Sequence, residues 1–243
     1  MSTGQKRNYE KFAAIFSLVV LLLPFSPAYG SGTITENFTN NQYNTALWNL
    51  WNQGTGTTSQ IINDRFEVTV AGNGYAGFNG YGFTLVGDFD MQVDFTLIDW
   101  PTDNGTQLII APYNLADTIS VQLGRANAPT DVNHKEQYFS IFSGNYNSTG
   151  VTGPSLSGTL RLLRTGNTME VFYWDGSNWQ SVGSATNASL GGRVGVGMNI
   201  GPYANNYSGI PAKAAFDNIR ITYTTLGPAF QPGPGPVIML LLD

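Results

Sequence analysis

Tyr75, Tyr81, Trp100, Tyr113, Trp174 and Tyr203 stand in or beside stretches rich in glycine and asparagine. Those residue types together suit sugar recognition: flat rings take the apolar C–H face of a pyranose, while Asn, Asp and Gln fix its hydroxyls. The competing reading for each ring is that it covers the end of a strand. Hydrolytic chemistry has less to work with. A retaining glycosidase needs two carboxyl groups about 5–5.5 Å apart and an inverting one about 6.5–9.5 Å. After residue 30 the glutamates are Glu36, Glu67, Glu136 and Glu170, none spaced in sequence to pair with a second carboxylate, although assembly from separate strands stays open. Asp90 and Asp94 fall on one face of a strand, where solvation explains them as well as catalysis does. His134 is the single histidine and no serine sits in a nucleophile-elbow pattern, so a Ser-His-Asp triad is not indicated. With no cysteine and no second histidine, zinc is disfavoured, and carboxylates alone suit harder cations.

The elements that must position these groups are strands. Alternation of apolar and polar residues recurs over Arg65–Val70, Phe89–Phe95, Leu108–Ala111, Ile119–Leu123, Gln137–Phe142, Thr159–Leu163, Met169–Tyr173, Val194–Met198 and Ala215–Tyr223. No comparable helical period appears after the first thirty residues. Turn chemistry separates the runs at Gly72-Asn73-Gly74, Asp103-Asn104-Gly105, Asp175-Gly176 and Gly191-Gly192, where positive φ is easily adopted. Phe89, Met91, Val93 and Phe95 lie on one face of their strand, and burying them contributes roughly 6–12 kcal/mol before entropy. Trp174 shares a face with Glu170 and Phe172, opposite Met169, Val171 and Tyr173, so one of these sets lies outside the core. The pattern predicts a single all-β domain, a sandwich of two antiparallel sheets.

The last third, from Leu160-Arg161-Leu162-Leu163-Arg164-Thr165-Gly166-Asn167-Thr168 through Met169–Trp174, the turn Asp175–Asn178 and Ala215-Phe216-Asp217-Asn218-Ile219-Arg220-Ile221, resembles the concanavalin A-like lectin/glucanase superfamily. Glu36-Asn37-Phe38, Trp48 and Asn63–Val68 resemble its opening strands, so the resemblance spans roughly Phe38 to Tyr223. It implies a jelly roll, and it implies core positions for Trp48 and Trp179. The ligand stays open, because this fold hosts lectins, hydrolases and adhesive modules. The Glu-aliphatic-Asp-x-x-Glu strand of family 16 glycoside hydrolases is absent, as are the Arg-rich and Gln-x-His strands of jelly-roll alginate lyases. Asp217 matches a last-strand aspartate that in the family 16 relatives helps bind a structural calcium, with Glu36 or Asn37 as further ligands; alternatively Asp217 bonds neighbouring backbone.

Residues 1–30 read as an export signal: Lys6, Arg7 and Lys11 precede an apolar run from Phe12 to Leu23, too short to span a bilayer, and Ala28-Tyr29-Gly30 offers a cleavage site. Removing them takes three basic residues and Glu10 from totals of 11 and 16, leaving eight against fifteen and a net charge of −7. So acidic a chain argues against nucleic acid and anionic membranes as partners. Residues 31–226 form the expected domain. Residues 227–243 add a Pro-Gly stretch and a short apolar tail, a candidate for docking on a surface or matrix protein. The combined expectation is a secreted or periplasmic carbohydrate-binding or adhesive module, with a hydrolase or lyase and a structural envelope protein as alternatives.

Overall fold

The computed structural model describes residues 30–114, 121–127, 137–142, 145–152, 155–203 and 207–230. Among them fifteen strands follow one another. The first five are β1 (Gly32–Glu36), β2 (Trp48–Gln53), β3 (Thr57–Ile62), β4 (Arg65–Val70) and β5 (Tyr75–Gly80). β6 (Phe83–Asp99), β7 (Thr106–Tyr113), β8 (Val121–Asn127), β9 (Gln137–Phe142) and β10 (Asn145–Thr152) come next. The last are β11 (Ser157–Thr165), β12 (Thr168–Trp174), β13 (Trp179–Thr186), β14 (Gly195–Pro202) and β15 (Ala212–Pro228). They build an eight-stranded sheet in the order β13-β12-β11-β6-β15-β4-β3, with β1 paired to β15, and a seven-stranded sheet in the order β10-β9-β8-β7-β14-β5-β2.

Every pairing in both sheets is antiparallel, and alternation decides what lies between them. Phe89, Met91, Val93 and Phe95 are buried as their spacing predicts, and so are Met169, Val171 and Tyr173 on β12. Facing them from the seven-stranded sheet are Phe78, Leu108, Ile110, Leu123, Val196 and Met198. Trp48 is in the core as expected, stacked on Phe78 at 5.1 Å. Trp179 is not. It pairs directly with Trp174 across the β12–β13 hairpin and therefore shares that residue's outward face, where it is only half-buried. With Tyr173 committed to the core, its neighbour Trp174 and Trp179 opposite must both point out.

Local chemistry fixes the joints. Asn63 and Asp64 both take positive φ (56° and 53°) in the two-residue turn joining β3 to β4, the geometry Asn and Asp tolerate best in a hairpin. Asp175 accepts the amides of Ser177 and Asn178 at 2.8 and 2.7 Å, closing the β12–β13 turn around Gly176 (φ 99°). At one end of the sandwich Arg164 turns inward and is fully buried. Its guanidinium donates to the carbonyls of Gly87 and Gly192 at 2.6 Å, and of Leu190 and Leu85 at 3.2 and 3.3 Å, while lying 4.8 Å over the Phe89 ring. Burial pulls its pKa down to about 10, with Asp88 opposing the shift. β15 continues to Pro228 along β6, and Phe230 beyond it packs against Tyr113 and under Arg193. No helix among the described residues is long and apolar enough to cross a membrane. The signal-like start through residue 29, His134 and the tail from residue 231 lie outside the described residues.

Candidate functional site

The outer face of the seven-stranded sheet is made of glycine, amides and rings. Reading across it in register, Trp51 on β2 pairs with Gly77, Gly77 with Asn199, Asn199 with Ile109, and Ile109 with Gly124. One row over, Asn79 pairs with Gly197 and Gly197 with Ala111. The glycines accept aromatic rings against the backbone. A Cβ at Gly77 would lie 2.3 Å from the Trp51 indole, one at Gly195 2.4 Å from the Tyr113 ring, and one at Gly201 2.1 Å from that of Tyr75. No Asp, Glu, Lys or Arg points outward from the described side chains of this sheet.

Four polar atoms here lack any hydrogen-bond partner: Trp51 Nε1, Asn79 Oδ1, Asn199 Oδ1 and Gln122 Oε1. Their residues are only 8, 3, 1 and 5 % exposed. A buried polar atom without a partner costs about 1–3 kcal/mol, which a chain selected only for stability would remove. They extend from β2 across β5, β14 and β7 to β8, a width of about 19 Å at ~4.8 Å per strand.

The outer face of the eight-stranded sheet is chemically the reverse. Arg161 donates to both oxygens of Asp90 at 2.9 and 2.7 Å, and Thr159 donates to Asp94 at 2.6 Å. Glu67, almost fully buried, is held by Arg65, Lys213 and Asn63, whose combined pull outweighs burial and lowers its pKa. Asp90 and Asp94, four residues apart on β6, lie about 13 Å apart along the strand, beyond either glycosidase spacing. Asp217 is the register partner of Asp94. Its carboxyl pKa is raised, chiefly by burial and further by Asp94 and Asp64, against lowering by the Asn218 amide and Arg65.

The six aromatic candidates do not converge on one platform. Tyr75 and Tyr113 lie within strands of the seven-stranded sheet rather than in loops, Tyr113 buried and donating to the Gly80 carbonyl at 2.9 Å. Tyr203 sits over the same face, edge-on to Phe139 at 6.4 Å. Tyr81, 43 % exposed, is tied to the Thr45 carbonyl at 2.8 Å, and Trp100 packs half-buried against the core. Trp174 is on the opposite sheet. For the metal candidates, Glu36 spends its oxygens on the amides of Phe38 and Asn44 at 3.1 and 2.9 Å. Among the described residues no three His, Cys, Asp or Glu side chains gather as a metal site, so Glu36 and Asp217 do not form one by themselves. Sequence reasoning missed Trp51, Asn79, Gln122 and Asn199. The one faint signal was in β5, where inward Ala76 and Phe78 alternate with Gly77 and Asn79 in Tyr75-Ala76-Gly77-Phe78-Asn79-Gly80.

No protein-family model matches the chain, and no curated protein sequence does. Solved structures do. A Bacillus licheniformis beta-glucanase superposes with a TM-score of 0.54 at 15% identity, covering 79% of this chain and 98% of that one. The Ca2+-bound exoplasmic/lumenal domain of VIP36 gives 0.56 at 9%, covering 82% and 96%. The metal-free lectin I-B4 of Griffonia simplicifolia gives 0.55 at 12%, covering 79% and 98%. The chain has the concanavalin A-like jelly-roll fold that these lectins and glucanases share.

Proposed function

We propose that this chain is an exported, non-catalytic glycan-binding module whose ligand lies along the outer face of the seven-stranded sheet. One observation carries the reading: the buried, unpartnered Trp51, Asn79, Asn199 and Gln122 lie beside rings seated on glycine. These atoms are shielded from solvent, so a saccharide reaches them by shifting the side chains that shield them, its hydroxyls then pairing with the amides and indole N–H and its C–H faces with the rings. Among the described side chains this face carries no carboxylate, which supports binding rather than hydrolysis by a carboxyl pair. Calcium would rest on Asp217 with backbone oxygens, where a cation offsets the burial and the Asp94 and Asp64 charges that raise its pKa. Retardation of the full chain in native gels containing mixed-linkage β-glucan, galactomannan or arabinan tests the reading. Asn79→Ala with Asn199→Ala weakens that retardation without lowering Tm. Unchanged retardation in every gel overturns it.

A second reading has its own observation. Asp94 and Asp217 are neighbours across β6 and β15, and one of the two titrates high, the arrangement of an acid and its partner. Reducing-sugar release from the same polysaccharides, lost in Asp217→Asn, would make the chain a hydrolase.

A further inference from the structure

Trp174 and Trp179 meet at 5.3 Å with their planes 64° apart, forming a corner on the outer face of the eight-stranded sheet. The corner opens onto a shallow depression of about 380 Å³ floored by Gln92, Asp94, Thr159, Asn218 and Arg220. Three features mark this as a built recess rather than a stretch of ordinary sheet surface. Asp94 is fixed at both oxygens, Oδ1 by the Thr159 hydroxyl at 2.6 Å and Oδ2 by Asn218 Nδ2 at 3.0 Å, so it presents its remaining lone pairs in one orientation. β15 bulges between Asp217 and Arg220, with Asn218 at φ 48°, in the left-handed region; the bulge turns the Asn218 amide onto Asp94 and returns Arg220 to register opposite Gln92. Arg220 also differs from its neighbour. Arg161 is ion-paired to Asp90, whereas the Arg220 guanidinium makes no hydrogen bond or ion pair among the described residues.

We infer that this depression is a second saccharide site, for a neutral pyranose unit, on the face opposite the first. The exposed Trp174 ring takes the C–H face, Asp94 accepts from one hydroxyl, and Arg220, Gln92 and Asn218 donate to its neighbours. An acidic sugar is excluded by Asp94 and Asp217, whose carboxyls already repel one another. The two outer faces are separated by the thickness of the sandwich, ~10 Å between sheet planes plus the outward side chains on each side. One chain with a site on each face is bivalent toward a polysaccharide and bridges two strands of it, a cross-linking role that a single-site lectin lacks.

The two sites are tested separately with the full chain in gels of mixed-linkage β-glucan, galactomannan and arabinan, and by turbidity on mixing chain and polysaccharide. Trp174→Ala and Arg220→Gln each weaken retardation about tenfold in at least one polysaccharide at unchanged Tm, and each abolishes turbidity. The Asn79→Ala/Asn199→Ala variant keeps the Trp174-dependent retardation while losing turbidity. Wild-type retardation of both Trp174→Ala and Arg220→Gln in all three gels overturns the inference, as does complete loss of retardation in the Asn79/Asn199 variant. If that double variant behaves as wild type while Trp174→Ala abolishes retardation, the seven-stranded face fails as a site and the depression stands.

Discussion

The two outer faces of this sandwich are cut from the same backbone geometry yet resolve their polar groups in opposite ways. On the eight-stranded sheet, Asp90, Asp94 and Glu67 each find partners within the chain, through Arg161, Thr159 and Asn218, and Lys213 with Arg65. On the seven-stranded sheet, Asn79, Asn199 and Gln122 bury amide oxygens without partners. A face whose polar atoms satisfy one another contributes to folding. A face that buries them unsatisfied has accepted a stability cost.

The largest expected effect breaks the glycine floor. Gly77→Leu places a Cβ 2.3 Å from the Trp51 indole, within a packed row between β2 and β14. Overpacking of that kind costs about 1–3 kcal/mol and displaces the ring. The matching change on the other sheet, Leu163→Thr at a half-buried outward position of β11, costs at most about 0.5 kcal/mol. Urea unfolding of both variants reads the contrast, and equal losses would erase the distinction between the faces.

Next in size is the expected gain from Asn199→Ala. Because its Oδ1 is buried without a partner, removing the amide leaves stability unchanged or raises it by about 1 kcal/mol, while polysaccharide retardation falls. A structural asparagine behaves the other way, losing stability and keeping whatever binding survives. Smaller again is the Arg161–Asp90 pair, part-exposed on both sides at 20% and 26%. A double-mutant cycle with Arg161→Ala and Asp90→Ala should give a coupling of about 0.2–1 kcal/mol that fades at high salt. A larger, salt-insensitive coupling would mean that this face is not the screened surface its exposure indicates.

The same contrast governs what the sequence discloses. β4 and β9 have the limits of their alternating runs, and β6, β7, β11, β12 and β15 contain theirs, because each sets apolar residues against polar or charged ones or is apolar throughout. β2 and β5 gave no run. Their outward positions hold Asn49, Gly77 and Asn79, and their ring-bearing ones hold Trp51 and Tyr75, so glycine and asparagine read as turn residues while tryptophan and tyrosine read as core. Glycine and asparagine at the outward positions erase the alternation there. Trp179 was misplaced because the resemblance implied a core position for it, while its register opposite the outward Trp174 turns it out. Asp217 was singled out by position alone; its approach to Asp94 and Asp64 needs two strand residues and one turn residue brought together by β6, β15 and the β3–β4 turn.

The smallest effect concerns Asp217, whose charge is disfavoured first by burial and then by the carboxylates of Asp94 and Asp64. Asp217 has a folded-state pKa above its ordinary value, so the folded chain binds this proton more tightly than the unfolded chain does. Its carboxylate therefore subtracts from stability at neutral pH. The penalty disappears as pH falls through the raised pKa and on below the ordinary carboxylate range, where both states are protonated. Asp217→Asn removes the charge while leaving an oxygen to accept the Asn218 amide at 2.7 Å. The variant should melt slightly above the unsubstituted chain at pH 7, with the difference shrinking to nothing in acid. Millimolar calcium sharpens the test, because a cation held at Asp217 raises Tm only where the carboxylate is present and closes or reverses the gap at pH 7. A variant that melts lower than the unsubstituted chain at pH 7 without calcium would show that Asp217, like Asp90 and Asp94, is satisfied by its own face.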